Sequence, residues 1–133
     1  MTSAAVETVV AWHTALNESD VLRLLSLSTD DVEVGGPRGA GRGADLLRDW
    51  VARAGVHLDP RRIFCRADIV VIEQSARWPS ADGHLADPQV VASIVHVTGG
   101  RVSSVIRHPD LAAALIGAGL SIPDEFVGAP SPF

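Results

Sequence analysis

Few side chains in this sequence could do chemistry near neutral pH, and one strand pair brings two of them onto a common face. The segments QVVASIVHV and RVSSVIRH flank Thr98-Gly99-Gly100-Arg101, whose central glycines suit a two-residue hairpin turn that needs φ > 0 at both positions. With Thr98 opposite Arg101, His96 falls opposite Ser103, Ile94 opposite Val105 and Ala92 opposite Arg107, all on one face. On that face His96 is a candidate general base or hydrogen-bond donor, or else a histidine bonded only to a neighbour. Arg107 on an interior strand position needs a counterpart. Either a carboxylate such as Asp31 or Glu33 pairs with it, or an anionic ligand does. The strand rise separates His96 from Arg107 by roughly 13 Å, too far for a direct bond but suited to the two ends of a small molecule.

Other reactive types are scattered. His13, His57, His84 and His108 are far apart in sequence, and the tightest acid–histidine pair, Asp82 with His84, lies in a polar loop without further ligands nearby. No metal site is expected, and no cofactor. The stretch GGPRGAGRG superficially suggests a phosphate loop but lacks the lysine–serine or lysine–threonine ending and a parallel βαβ setting. It reads as a flexible connector with Arg38 and Arg42 solvated. The single cysteine, Cys65 in RIFCRAD, reads as a small hydrophobe on a strand.

The elements that must position these residues follow from pattern. A chain of 133 residues, 47% hydrophobic and 20% charged, suffices for one domain with one core and excludes a disordered segment of this length. Ser3 can cap a first helix whose face carries Val6, Val9, Val10, His13 and Leu16. Asp20 caps a second, short one, VLRLLSL, with Leu24, Leu25 and Leu27 on its buried side. Asp31-Val32-Glu33-Val34 alternates as a short strand, and five glycines and a proline within the next nine residues argue against regular structure there. A third helix runs from about Ala44 to Ala54, with Leu47, Trp50, Val51 and Ala54 on one face and Gly55 as its stop. RIFCRADIVVIEQSARW is too long for one strand and turns a corner at Arg66-Ala67-Asp68. The last hairpin precedes a turn or two of helix, DLAAALIGAGL. The domain is expected over residues 1–120, with a proline-rich tail over 121–133.

This order of helix, helix, short strand, glycine-rich loop, helix and long antiparallel sheet resembles the nuclear-transport-factor-two-like superfamily. The phrases AWHTALNESD, TDDVEVGGPRGAGRGADLLRDW and HVTGGRVSSVIRHPDL are similar to its SnoaL-like branch, and the likeness covers most of residues 4 to 117. It implies an α+β fold in which a cone-shaped, curved antiparallel sheet is wrapped by N-terminal helices around a pocket. The superfamily includes steroid isomerases, epoxide hydrolases, polyketide cyclases, dehydratases and plain binding or dimerisation domains, so the likeness implies a fold more than an activity. The isomerases' oxyanion tyrosine matches Trp12, and their aspartate base matches Val34 or Gly35. The epoxide hydrolases' reactive arginine and aspartates match Gln74, Ala76 and Arg107. Both sets are vacant, and neither activity is expected.

In the implied orientation the pocket is lined by Ala92, Ile94, His96, Ser103, Val105 and Arg107, joined by Ile72 and Gln74, with Trp12 and Trp50 as an aromatic wall or as plain core. The favoured function is binding of a small apolar or weakly acidic molecule. The alternatives are an acid–base enzyme of the cyclase, isomerase or dehydratase kind using His96 and Arg107, and a dimerisation module. The other face of the last hairpin, with Val91, Val95, Val97, Val102 and Ile106, would be an exposed apolar patch suited to a homodimer. A net charge of -5 with dispersed basic residues points away from nucleic acid. An acid in MTSAAVETVV and the lack of a spanning apolar run lead us to expect a cytoplasmic protein without a membrane partner.

Overall fold

A computed structural model of the chain describes residues 4–36, 39–80, 82, 84 and 87–126. The first helix, α1 (Ala4–Asn17), buries Ala5, Val6, Val9, Trp12, His13, Ala15 and Leu16, the three-and-four spacing of one face. Its end is tied to the sheet by Asn17, whose amide donates to Leu58 O at 2.7 Å and accepts from Leu58 N at 2.8 Å. Asp20 caps α2 (Val21–Ser26) by accepting from Arg23 N, as its sequence position predicts. The expected cap at Ser3 lies outside the described residues.

The strands are β1 (Ser28–Gly36), β2 (Gly39–Arg42), β3 (His57–Arg66), β4 (Ile69–Arg77), β5 (Gln89–Thr98) and β6 (Arg101–His108). They form one sheet in the order β2-β1-β6-β5-β4-β3, antiparallel throughout except for the parallel pair of β1 and β6. Register shifts interrupt β1–β6, β3–β4 and β5–β6, and such bulges bend a strand and increase its twist, so the sheet curls. Helices α1, α2 and α3 (Ala44–Ala54) fill its concave side, where Val9, Trp12, Leu24, Val32, Leu47, Val70 and Ile72 are fully buried. Burying each such aliphatic side chain contributes about 1.5–3 kcal/mol. Gly55 stops α3 in the left-handed conformation, φ 58°.

The glycine-rich stretch is more ordered than its composition suggests. Gly39–Arg42 forms β2 and pairs with Glu33–Gly36 of β1, so the described part of GGPRGAGRG is a hairpin and not a flexible connector. Absent side chains permit this. A Cβ on Gly35 would lie 2.5 Å from Ala40 Cβ and 2.6 Å from Gly39 O. Arg42 is largely solvated but reaches Glu33 at 3.8 Å; Arg38 lies outside the described residues.

The last hairpin forms as expected, with Gly99 and Gly100 at φ 60° and 79° and Thr98 opposite Arg101, but its register then slips by one. Val97 pairs with Val102 and His96 with Ser104, which leaves Ser103 as an extra residue on β6. The bulge is held by side chains: Ser103 Oγ donates to His96 O and accepts from Thr98 Oγ1. Beyond it Ile94 meets Ile106, Ser93 meets Arg107 and Ala92 meets His108, so Val91, Ser93, Val95 and Val97 share the concave side with Val105. Four of the five residues expected as an outer apolar patch, Val91, Val95, Val97 and Val102, are therefore core, 0 to 8% exposed. The convex face carries Ala92 and Ile94 instead, and α4 (Leu111–Ala118) covers them with Ala114 and Leu115. The patch that suggested a homodimer is not formed.

The chain beyond Leu120, expected as a tail, is docked as far as Phe126. A single 3₁₀ turn, Ile122–Asp124, is followed by a bridge from Glu125 to Phe64 and a bond from Phe126 N to Ile63 O. Arg62 grips the Glu125 carboxylate with two bonds of 2.8 and 2.9 Å, and Arg66 reaches Asp124 at 2.7 Å.

Candidate functional site

The cone encloses a cavity of about 550 Å³. Its walls come from three places: the glycine hairpin of β1 and β2, Leu46, Trp50 and Arg53 of α3, and Leu58, Gln74, Ser93, Val105 and Arg107 of the concave sheet face, with Val56 and Trp78 at strand ends. Gln74 and Ser93 are 0% and 2% exposed and form its closed end. Arg107 is solvent-exposed and stands at the mouth. Its guanidinium lies over the Trp78 ring, 5.3 Å from the centroid, and its other flank faces Gly36, where a Cβ would sit 3.6 Å from Nε.

Neither of the carboxylates expected as a partner, Asp31 or Glu33, pairs with Arg107. Glu33 bonds to Ser104 and pairs with Arg42, and among the described residues no carboxylate pairs with Arg107. Arg53 is a second cation on the cavity, and no Asp or Glu among the described residues lines it.

A buried polar chain backs the closed end. Ser93 Oγ donates to Gln74 Oε1 at 2.9 Å, the Gln74 amide lies 2.7 Å from His13 Nε2, and His13 Nδ1 lies 2.8 Å from the Val9 carbonyl. A carbonyl only accepts, so Nδ1 carries the proton. Burial pushes the His13 pKa down to about 4, against the opposing effect of the bond to Val9, so the ring is neutral and its Nε2 accepts from Gln74. That fixes the orientation of the Gln74 amide, with oxygen toward Ser93.

Of the residues expected to line a pocket, Trp50, Gln74, Val105 and Arg107 do so. Ile72 is fully buried in the concave core, away from the cavity. Trp12 is also fully buried and serves the frame: its Nε1 donates to Ser28 Oγ, which donates to Leu24 O and thereby joins α1, α2 and β1. Ala92 and Ile94 pack on the convex side, His96 is exposed there, and Ser103 is the bulge residue. The cause is the same one-residue slip, which moves every even-numbered β5 side chain to the other face. Ser93, Arg53, Trp78 and His13 were not anticipated. Trp78 was accessible to pattern reasoning, since it continues the alternation Gln74, Ala76, Trp78. His13 showed its buried face but not its partner 61 residues away.

No family model matches the sequence, and no curated protein does. Solved structures do. TerC, co-crystallised with polyporic acid, matches with a TM-score of 0.72 at 21% identity, covering 84% of this chain and 95% of TerC. An NTF2-like protein of unknown function from Burkholderia pseudomallei matches at 0.69 and 18%, covering 88% of this chain and 98% of its own. The chain has the NTF2-like fold. An LEH-like epoxide hydrolase from M. tuberculosis shares that cone at 0.70 and 22%, covering 88% of this chain and 92% of the other. Identities at this level carry the fold and leave the activity open. The resemblance read from the opening helix, the first strand and the closing hairpin therefore holds for the architecture. Among the described residues, no helix of this chain is long and apolar enough to cross a membrane.

Proposed function

We propose that the protein binds a small, largely apolar molecule with an anionic or carbonyl end, seated in the cone cavity with that end toward Arg107. The observation that carries this reading is the charge of the lining: apolar walls, two arginines, and no acidic side chain among the described lining residues. An arginine stacked on tryptophan with no internal carboxylate is poised to take a carboxylate or enolate through two parallel hydrogen bonds. An acid–base enzyme finds less support. The buried imidazole of His13 is bonded at both ring nitrogens, its one proton held on the Val9 carbonyl, and it stays neutral near pH 7, so it does not serve as an acid or base there.

Trp50 and Trp78 lie on the cavity, so tryptophan fluorescence is a direct reporter. Titration with cinnamate, aliphatic fatty acids and polyporic acid should give saturable changes for at least one acid, weakened in Arg107→Met. No saturable change for any of them, or an unchanged affinity in Arg107→Met, would contradict the reading.

A further inference from the structure

The closed end of the cavity has a hydrogen-bond polarity that follows from its buried chain. Because Val9 O takes the Nδ1 proton of His13, Nε2 is an acceptor; the Gln74 nitrogen must face it, and the Gln74 oxygen must face Ser93. The hydroxyl proton of Ser93 is thus spent on Gln74 Oε1. Its lone pairs remain, and among the described residues no donor reaches them, although Ser93 is 2% exposed and lines the cavity. The second N–H of the Gln74 amide is likewise without an acceptor among the described residues. A buried acceptor beside a buried donor is costly to leave unmet and is met by one group that can both donate and accept.

We propose that this end of the cavity recognises a hydroxyl, so that the ligand class is a hydroxylated apolar acid, its hydroxyl on Ser93 and Gln74 and its anionic end on Arg107. This rests on the cavity-binding reading above and narrows it. A hydroxyl donates to Ser93 Oγ and accepts from the Gln74 N–H. A carbonyl serves only the amide and sets two acceptors face to face, and a hydrogen serves neither. Ser93 and Arg107 are direct partners across β5 and β6, so the ligand's polar ends are separated by about the reach of one arginine side chain, a distance suited to a single ring with a short acid arm.

The test is calorimetric titration of the full chain with para-hydroxycinnamate, cinnamate and para-acetylcinnamate. Para-hydroxycinnamate is expected to bind about tenfold more tightly than cinnamate, the worth of one well-made buried hydrogen bond, with para-acetylcinnamate no better than cinnamate. In Ser93→Ala the hydroxyl preference should shrink to about twofold or less. Should that variant fail to fold, the wild-type ranking decides alone. Equal affinities for the hydroxylated and plain acids, both weakened by Arg107→Met, would overturn this inference and leave the cavity reading standing. So would tighter binding of para-acetylcinnamate, or a hydroxyl preference that survives Ser93→Ala. Failure of all three to bind would overturn this inference, and the cavity reading with it only where the fatty acids and polyporic acid fail as well.

Discussion

Ser93 and Arg107 stand directly opposite each other across β5 and β6 on the concave face, one sealed at the closed end of the cavity and the other reaching over Trp78 at its mouth. The bulge at Ser103 creates this pairing; an unbroken register would have set Arg107 against Ala92. The polar axis of the cavity thus depends on a single extra residue.

Arg107 gains no stability from an internal carboxylate, so Arg107→Met should change stability by no more than about 1 kcal/mol, the worth of its exposed stacking on Trp78. The same variant should bind cinnamate about tenfold more weakly, because charge-assisted hydrogen bonds are lost. Thermal melts with and without cinnamate read both effects. A large fall in melting temperature in the ligand-free variant would mean that Arg107 serves the fold.

His13 makes stability depend on pH. Its pKa is about 4 in the folded chain against 6.5 for an ordinary imidazole, so the unfolded state binds the proton first. The fold is fully stable above pH 6.5 and loses stability as pH falls toward 4, by about 3 kcal/mol at most from this group. His13→Gln should flatten the dependence of urea midpoints on pH between 7 and about 4.5. Equal slopes in wild type and variant would contradict the burial argument.

The glycine hairpin should resist side chains unequally. At Gly35 a methyl meets the backbone carbonyl of Gly39, which cannot step aside, so Gly35→Ala should cost about 1–3 kcal/mol. At Gly41 the methyl meets the end of the flexible Leu46 side chain, and Gly41→Ala should cost less. Chemical denaturation of the two variants gives the order, and the reverse order would be evidence against the β1–β2 pairing.

The segment from Ser121 to Phe126 acts as a strap on β3. Arg62 holds the Glu125 carboxyl below its usual range, while the backbone bond from Ser121, helped by Arg66, lowers that of Asp124. The stability these carboxylates contribute is present above their unfolded values and is lost as pH falls through the folded ones. The double variant Arg62→Gln, Arg66→Gln should melt lower than wild type at pH 7, with the gap closing as pH drops below the carboxylate range. A gap that stays constant down to acid pH would rule out the ion pairs as its source.

Local pattern carried most of the fold. Helix faces, the Asp20 cap, the Gly55 stop and the Gly99-Gly100 turn are short-range features, and each is where the residue types place it. What pattern did not carry is long-range. The bulge turns on Ser103 bonding to His96 O, which two adjacent serines do not announce. Yet Val91, Val95 and Val97 are an alternation that suits the larger core, and weighing it above an unbroken register would have put Ser93 inside. The glycine stretch misled for a related reason. Glycine weakens a strand in isolation, but here it permits close approach of two backbones against α3.

The most direct test of the central claim is a crystal structure of the protein grown with para-hydroxycinnamate. The account predicts the carboxylate against the Arg107 guanidinium beside Trp78, the ring between Trp50 and Val105, and the hydroxyl within hydrogen-bond distance of Ser93 Oγ. A ligand bound on the convex face beside His96, or a cavity occupied with the carboxylate turned away from Arg107, would contradict it.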